Sequence, residues 1–563
     1  MPQFLRLVRF AAFATHGSLL YNFKVASVAT EPQTIEFMPE LTWIGKDKVV
    51  NHHHDVPFRI LEKQYTFGDE GSGNKIIHGD NLAALKSLLP EYEDRIKCIY
   101  IDPPYNTGNE GWVYNDNVND PKLKKWLHQV VGKEGEDLSR HDKWLCMMYP
   151  RLKLLRRLLS DDGVIFVSID DNEQAHLRLV MNEVFGSSNF VANVIWRSSD
   201  NSNNDAKQFS LDNNHTVVFA KKSNWLSNRL DRTDDQKAHY SNPDNDPRGA
   251  WFDGNPISSP NPRANLTYPI VSQMGFEIQP PRNGWRWSKE TLEEKMETGE
   301  IRFTDDGTNI RRRTYLADQK GLPPSTLWID LDQTGHNRQA KYELQKIFFE
   351  RTKNEVFATP KPVKFIQRVL DVAMDKDSLI LDSFAGSGTT AHAVLKLNAA
   401  DGGNRKFILI EQEDYAETIT AERVRRVMNG YGESTKAVAG LGGGFDYYVT
   451  GEPLFLEDGN LNEEIVVDEI RKYVAYTENL TAENQLPIDN KHSPYLLGKQ
   501  DDTAYIFYYE KMRATTLDLD YLSKLNFRPA NMVFYADICL LNKNQLQKYG
   551  IIFKKIPRDI TRF

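Results

Sequence analysis

At 563 residues the chain exceeds one typical domain, so roughly two to four domains are expected. Its 40% hydrophobic and 26% charged residues are ordinary for a globular protein, and three scattered cysteines (Cys98, Cys146, Cys539) exclude a disulfide frame or a cysteine zinc site. A net charge of −8 argues against nonspecific coating of nucleic acid but leaves room for a local basic groove.

The first thirty residues of the segment 1–40 imitate a secretory signal: Arg6 and Arg9 precede the apolar 10–14, and small residues follow at 26–29. Thr15, His16 and Gly17 break the apolar stretch, so we read a poorly ordered extension. There is no apolar run long enough for a membrane helix, so no membrane partner is expected, and the cysteine usage fits a reducing cytoplasm. His52-His53-His54 invites a metal reading, but three consecutive imidazoles cannot all face one ion. We expect a solvated loop there and no metal.

From 41 to 195, short strands at 76–77, 98–101 and 164–169 alternate with helical patterns at 82–89, 144–159 and 173–185. Such alternation predicts an α/β fold with a parallel sheet covered on both faces. The texture changes over 196–350: Asn, Asp, Ser and Pro crowd 200–205 and 241–263, and the region includes Gly284-Trp285-Arg286-Trp287, Arg311-Arg312-Arg313 and Thr334-Gly335-His336-Asn337-Arg338. This is either a solvated insertion or a base-reading element. The α/β rhythm returns over 351–440, with helices at 365–374 and 415–428 and a strand at 407–410. Gly442-Gly443-Gly444 reads as a boundary, and 441–563 is mixed, with aromatic strands at 504–509 and 532–535.

Two turns carry the chemistry. After the 98–101 strand stands Asp102-Pro103-Pro104-Tyr105-Asn106. Open α/β sheets place ligands at the carboxyl ends of their strands. The prolines remove two backbone donors, so the turn offers acceptors only, to which Asp102 adds a carboxylate and Tyr105 a flat face. That suits a planar group bearing an amine, such as a nucleobase; a turn-capping carboxylate is the plainer reading of Asp102. The second turn, Asp382-Ser383-Phe384-Ala385-Gly386-Ser387-Gly388-Thr389, also follows a strand and opens a helix. Small residues let backbone approach a ligand, and the helix start supplies free N–H groups. Phe384 is either a ligand contact or a core residue. About twenty residues on, a strand ends in Glu411, the offset of a ribose acceptor, with Glu413 as competitor. No Gly-Lys-Ser/Thr follows the glycines, so the turn is not a P-loop.

The two motifs together resemble the amino-group DNA methyltransferases that use S-adenosylmethionine. The catalytic motif precedes the cofactor motif by roughly 280 residues, as in the β class. His78-Gly79-Asp80-Asn81, Pro103-Pro104-Tyr105-Asn106-Thr107-Gly108, the run from Asp162 to Asp171 and Thr359-Pro360-Lys361-Pro362 resemble the modification subunits of Type III restriction-modification systems. The resemblance covers roughly residues 40–563. It implies a Rossmann-like methyltransferase core in two halves (41–195 and 351–440), an inserted target-recognition domain (196–350) and a mixed α+β docking or dimerisation domain (441–563).

The catalytic residues it implies are Asp102, Pro103, Pro104 and Tyr105. Asp102 and the Pro103 carbonyl would hold the adenine N6 hydrogens, and Tyr105 would stack on the extruded base. The cofactor residues it implies are Asp382, Phe384, Ala385, Gly386, Ser387, Gly388, Thr389 and Glu411, with Lys361 and Pro362 near the methionine end. Asp80 is either a cofactor-proximal acid or a helix N-cap. The substrate would be double-stranded DNA. An acid in the first position of the motif favours adenine N6 over cytosine N4; a solitary methyltransferase and a non-catalytic specificity subunit are the alternatives. The implied partners are a second copy of the chain and a separate restriction subunit with helicase and nuclease activity.

Overall fold

Ten strands form the central sheet: β1 Arg59–Gly68, β2 Lys75–His78, β3 Ile96–Ile101, β4 Leu159–Ile169, β5 Phe190–Arg197, β6 Asn213–Ala220, β7 Leu327–Trp328, β8 Leu379–Asp382, β9 Lys406–Glu411 and β10 Gly444–Pro453. The computed structural model describes residues 41–107 and 140–562 apart from 255, 489, 490, 492 and 528. The expected extension over 1–40 and Gly108 of the catalytic motif lie outside the described residues.

In space the strands run β1-β10-β2-β9-β8-β3-β4-β6-β5-β7. From β10 to β4 every pairing is parallel. β6 reverses against β4, and β1 against β10. Ile99, Ile101, Ile380, Leu381, Leu409 and Ile410 are fully buried, as strands covered on both faces require. The expected α/β class is therefore the observed one.

The covering helices are α1 Asn81–Tyr92, α2 Arg140–Leu158, α3 Gln174–Phe185, α4 Asn337–Ile347, α5 Val363–Ala373, α6 Thr389–Asp401 and α7 Glu422–Asn429. On α5, Phe365, Ile366, Val369, Leu370 and Ala373 recur at three- and four-residue spacing and are all buried. Phe365 packs against Trp196 of β5 and Trp328 of β7, with ring centroids 4.6 and 5.6 Å apart. This contact packs α5 on the β5–β7 edge of the sheet.

Three expectations shift. The sheet continues past 196, because β6 and β7 belong to it; the segment outside it is 221–326. That insertion has its own three-stranded sheet (Trp251–Asp253, Ile301–Phe303, Ile310–Tyr315) and a small core around Trp285, Leu292, Ile301 and Ile310. Gly444 is a strand entry and not a domain boundary: it pairs with Gly68, and a Cβ there would lie 2.3 Å from the Asp69 amide nitrogen. His52–Asp55 is a helical turn with His52 and His53 buried, so the expected solvated loop is corrected. Burial lowers the His53 pKa to about 3, and Lys86 Nζ donates to the His53 and His54 carbonyls. Beyond β10, helix Val467–Thr477 and a mixed four-stranded sheet (Leu496–Gln500, Thr503–Phe507, Asn531–Ala536, Ile551–Lys555) carry the aromatic strands. Among the described residues no helix is long and apolar enough to cross a membrane.

Candidate active site

β3 and β8 are neighbours in the sheet, with Ile380 opposite Cys98 and Leu381 opposite Ile99. Both predicted turns therefore leave the sheet at the same end, side by side. A cavity of about 540 Å³ opens there. Its wall takes Asp102, Pro103, Pro104 and Tyr105 from the first turn. From the second it takes Asp382, Phe384, Ala385, Gly386, Ser387 and Thr389, and Lys361 completes the predicted set. Pro362, Gly388, Asp80 and Glu411 do not line it.

The first turn is braced on several sides. Asp102 Oδ2 lies 2.5 Å from Lys361 Nζ, and Oδ1 accepts from the Tyr105 hydroxyl at 2.9 Å. Lys361 thus faces the Asp102 carboxylate, a contact the sequence reading did not give it. The indole N–H of Trp144, on α2, donates to the Pro104 carbonyl at 2.7 Å. Among the described residues none donates to the Pro103 carbonyl. Burial, with the Asp102 anion beside it, pushes the Tyr105 phenol well above its ordinary pKa, so its hydroxyl stays a donor. Asn106 is buried in the left-handed region (φ +59°), and its amide donates to the Arg140 carbonyl at 3.1 Å and to Glu173.

The second turn is built around buried carboxylates. Asp382 accepts from Thr390 Oγ1 at 2.5 Å and from the Phe384 amide at 3.1 Å. Burial raises its pKa to about 7. Gly386 and Gly388 have φ of +52° and +76°. A Cβ on Gly386 would press on the Phe357 ring at 3.1 Å, and one on Gly388 on the Thr420 carbonyl at 3.0 Å, so glycine keeps the cavity open and the turn seated.

Glu411 accepts from the Gly386 amide at 2.7 Å and the Glu413 amide at 3.1 Å. It is buried beneath the glycine turn, with its pKa raised to about 7 by burial, and in this structure it supports the loop rather than lining the cavity. Asp80 is the N-cap of α1: its carboxylate accepts from the Ala83 amide at 2.8 Å. Pro362 and Gly388 likewise stand at the starts of α5 and α6.

Several supporting residues were not legible in advance. Arg423 is buried and donates to Thr389 Oγ1 at 2.7 Å and Ser387 Oγ at 2.9 Å. Asn81, held by Arg151, donates to the Ser383 carbonyl at 3.2 Å. Asn214, Asn337, Phe357 and Tyr415 also line the wall, from β6, α4 and two loops. Only spatial proximity selects them. Asn337 did fall in a stretch read as base-recognising, yet it stands at the cavity.

The family model for the N6/N4 DNA methylases matches residues 96–422, which spans both turns and the insertion between them. The Type III restriction-modification enzyme StyLTI Mod subunit of Salmonella typhimurium is 33% identical, over 73% of this chain and 64% of its own. The EcoPI Mod subunit of Escherichia phage P1 is 31% identical, over 69% and 65%. The Type II methyltransferase M.KpnI of Klebsiella pneumoniae is 32% identical, over 61% of this chain and 81% of its own. The chain spans just under two thirds of the length of the two Mod subunits. With more than half its length matched by the family model, and both strand-end turns meeting at one cavity inside that match, the chain belongs to the DNA methylase family.

Proposed function

We propose that this protein transfers a methyl group from S-adenosylmethionine to the N6 amine of adenine in duplex DNA. The observation that carries this reading is the meeting of the acceptor-only Asp102 turn and the glycine turn at adjacent parallel strand ends around one cavity. The cofactor supplies the electrophilic methyl when bound. Residues present fit it: the small residues of the glycine turn line the cavity, and the start of α6 brings free N–H groups beside them. A ribose role for Glu411 would use the acceptor capacity its two oxygens keep beside the Gly386 and Glu413 amides.

Asp102 and the Pro103 carbonyl would accept the two N6 hydrogens, drawing the delocalised lone pair back onto nitrogen. Each carboxylate oxygen accepts more than one hydrogen bond, so Asp102 retains capacity beside Lys361 and Tyr105. Those two partners hold the acceptor in place before the base arrives, which is how preorganised electrostatics speeds a reaction. The Tyr105 ring offers a stacking face for a base taken out of the duplex.

The insertion would read the DNA. Arg263, Arg282, Arg286 and Arg311 are exposed there. Similarity to Type III Mod subunits supports a modification role in such a system, with a second copy of the chain and a restriction subunit as partners. Digesting methylated DNA to nucleosides tests the chemistry: N6-methyladenine is expected, and N4-methylcytosine or no product overturns it. Light scattering of the full chain tests the dimer, which a monomeric, fully active protein would defeat.

A further inference from the structure

Beside the catalytic turn, outside the cavity, three side chains of ligand type converge. His141 stands in the first turn of α2. Glu173 immediately precedes α3, and His176 lies three residues on, so the two share a face. Glu173 Oε1 is 2.7 Å from His141 Nδ1, and Oε2 is 3.0 Å from His176 Nδ1. The two imidazole centroids are 4.6 Å apart, and the three ligand atoms all lie within 4.8 Å of one another. The Glu173 side chain is fully buried (0% exposed), while His141 and His176 are 31% and 33% exposed.

A buried carboxylate requires compensation on both oxygens. Oε1 has it, from His141 and from the Asn106 amide. Oε2 does not: it and His176 Nδ1 are buried, 3.0 Å apart, and neither makes a hydrogen bond among the described residues. A buried carboxylate oxygen and an imidazole nitrogen side by side, with no hydrogen-bond geometry between them, are an arrangement that a cation satisfies.

We propose that His141, Glu173 and His176 bind a transition-metal ion of the Zn²⁺ class. Two imidazoles and a carboxylate, with a fourth position open to water, are a donor set suited to tetrahedral Zn²⁺. They do not suit Ca²⁺ or Mg²⁺, which take six or more oxygens. The ion has a positioning role. Glu173 carries Asn106, and Asn106 sets the left-handed step that ends the Asp102–Tyr105 turn, so the metal would pin α2 and α3 to that turn. It touches no reacting atom, and methyl transfer itself stays metal-free. The site does not depend on the methyltransferase reading. Glu173 and His176 share a face by their three-residue spacing, and the packing of α2 on α3 brings His141 to them.

The test is metal binding by the full-length chain, prepared without a metal-affinity tag and stripped with a chelator. Titration with Zn²⁺ against a chromophoric chelator should show one equivalent per chain. Co²⁺ in its place should give visible absorption bands of a nitrogen- and oxygen-ligated low-coordinate ion. His176→Ala should lose the equivalent and the bands while keeping the far-ultraviolet circular dichroism of the parent, since this imidazole is partly exposed. His239→Ala, in the insertion, should keep both. No stoichiometric binding in the parent, Co²⁺ without visible bands, or a full equivalent retained by His141→Ala/His176→Ala would each overturn the proposal. In the first case the cluster is a hydrogen-bonded clasp only.

Discussion

The strand-end cavity and the insertion handle charge in opposite ways. At the cavity few charges are present, and each is held by backbone, hydroxyl or a single lysine while facing the open space. In the insertion the arginines neutralise the segment's own acids. Asp246 accepts from Arg248, Arg313 and the Tyr315 hydroxyl, and the bonds from Arg248 and Tyr315 hold its carboxyl well below the ordinary range. Arg313 also reaches Asp244 and lies 4.2 Å from the Trp251 ring centroid; Arg312 pairs with Glu300. An arginine in this region is therefore no sign of a DNA contact in itself. The arginines free of acids are the ones available to phosphates or bases.

The comparison breaks most visibly at Asp102. Asp102→Ala should leave the fold, cofactor binding and DNA binding intact and lower methyl transfer by at least ~10²-fold, the usual loss when one preorganised transition-state hydrogen bond is removed. Single-turnover transfer of labelled methyl groups measures it. Near-normal turnover would show that the cavity's charge is structural, like that of the insertion.

Asp382 extends the contrast to pH. Its folded pKa is raised to about 7 by burial, above the ordinary carboxyl value of about 4. A raised carboxyl binds its proton more tightly in the folded state, so its contribution to stability is full at acid pH and is lost as pH climbs from about 4 through 7. Glu411 acts in the same direction over the same window. Asp382→Asn should flatten the pH dependence of the denaturation midpoint between pH 4 and 7. An unchanged slope would mean that this carboxyl is not held protonated.

Arg313→Ala should act on stability alone. It removes one partner from each of two acids, while Asp246 keeps Arg248 and the Tyr315 hydroxyl, so the fold should weaken without unfolding. Chemical denaturation should register the loss, while the folded fraction keeps its turnover. A drop in turnover with stability unchanged would place Arg313 on the DNA.

How much of this was legible in advance follows the same division. Ile96–Ile101 and Leu379–Asp382 announce themselves as short apolar runs ending in an acid, because a strand buried on both faces leaves a continuous hydrophobic record. The two turns stand out in the sequence because proline fixes φ and glycine marks where the chain takes a positive φ. Lys361 on Asp102, Trp144 on Pro104 and Arg423 beneath Ser387 could not, since each contact joins elements distant in sequence. Glu411 had the right offset for a ribose acceptor, yet its partner in the structure is the Gly386 amide. In the insertion, Trp285 looked like a base-reading aromatic and is core: it is 1% exposed and its N–H meets the Tyr268 carbonyl at 2.7 Å. Composition there gives residue types, and only tertiary pairing separates Arg312 and Arg313 from Arg286.

The smallest expected effect tests that separation. Arg286 is exposed and makes no ion pair among the described residues, whereas Arg312 is tied to Glu300 at 2.8 Å. A side chain on a DNA phosphate releases a condensed counterion, so its removal lowers the slope of log affinity against log salt by about 0.9. Arg286→Ala should show that change and a modest, sequence-independent loss of affinity if it meets the backbone. If it meets a base edge instead, the loss should be about 1–3 kcal/mol and confined to the cognate site. Arg312→Ala should leave the slope unchanged. Fluorescence anisotropy over a salt series distinguishes these outcomes. A slope that moves for Arg312 and not for Arg286 would reverse the assignment and put the paired arginines on the DNA.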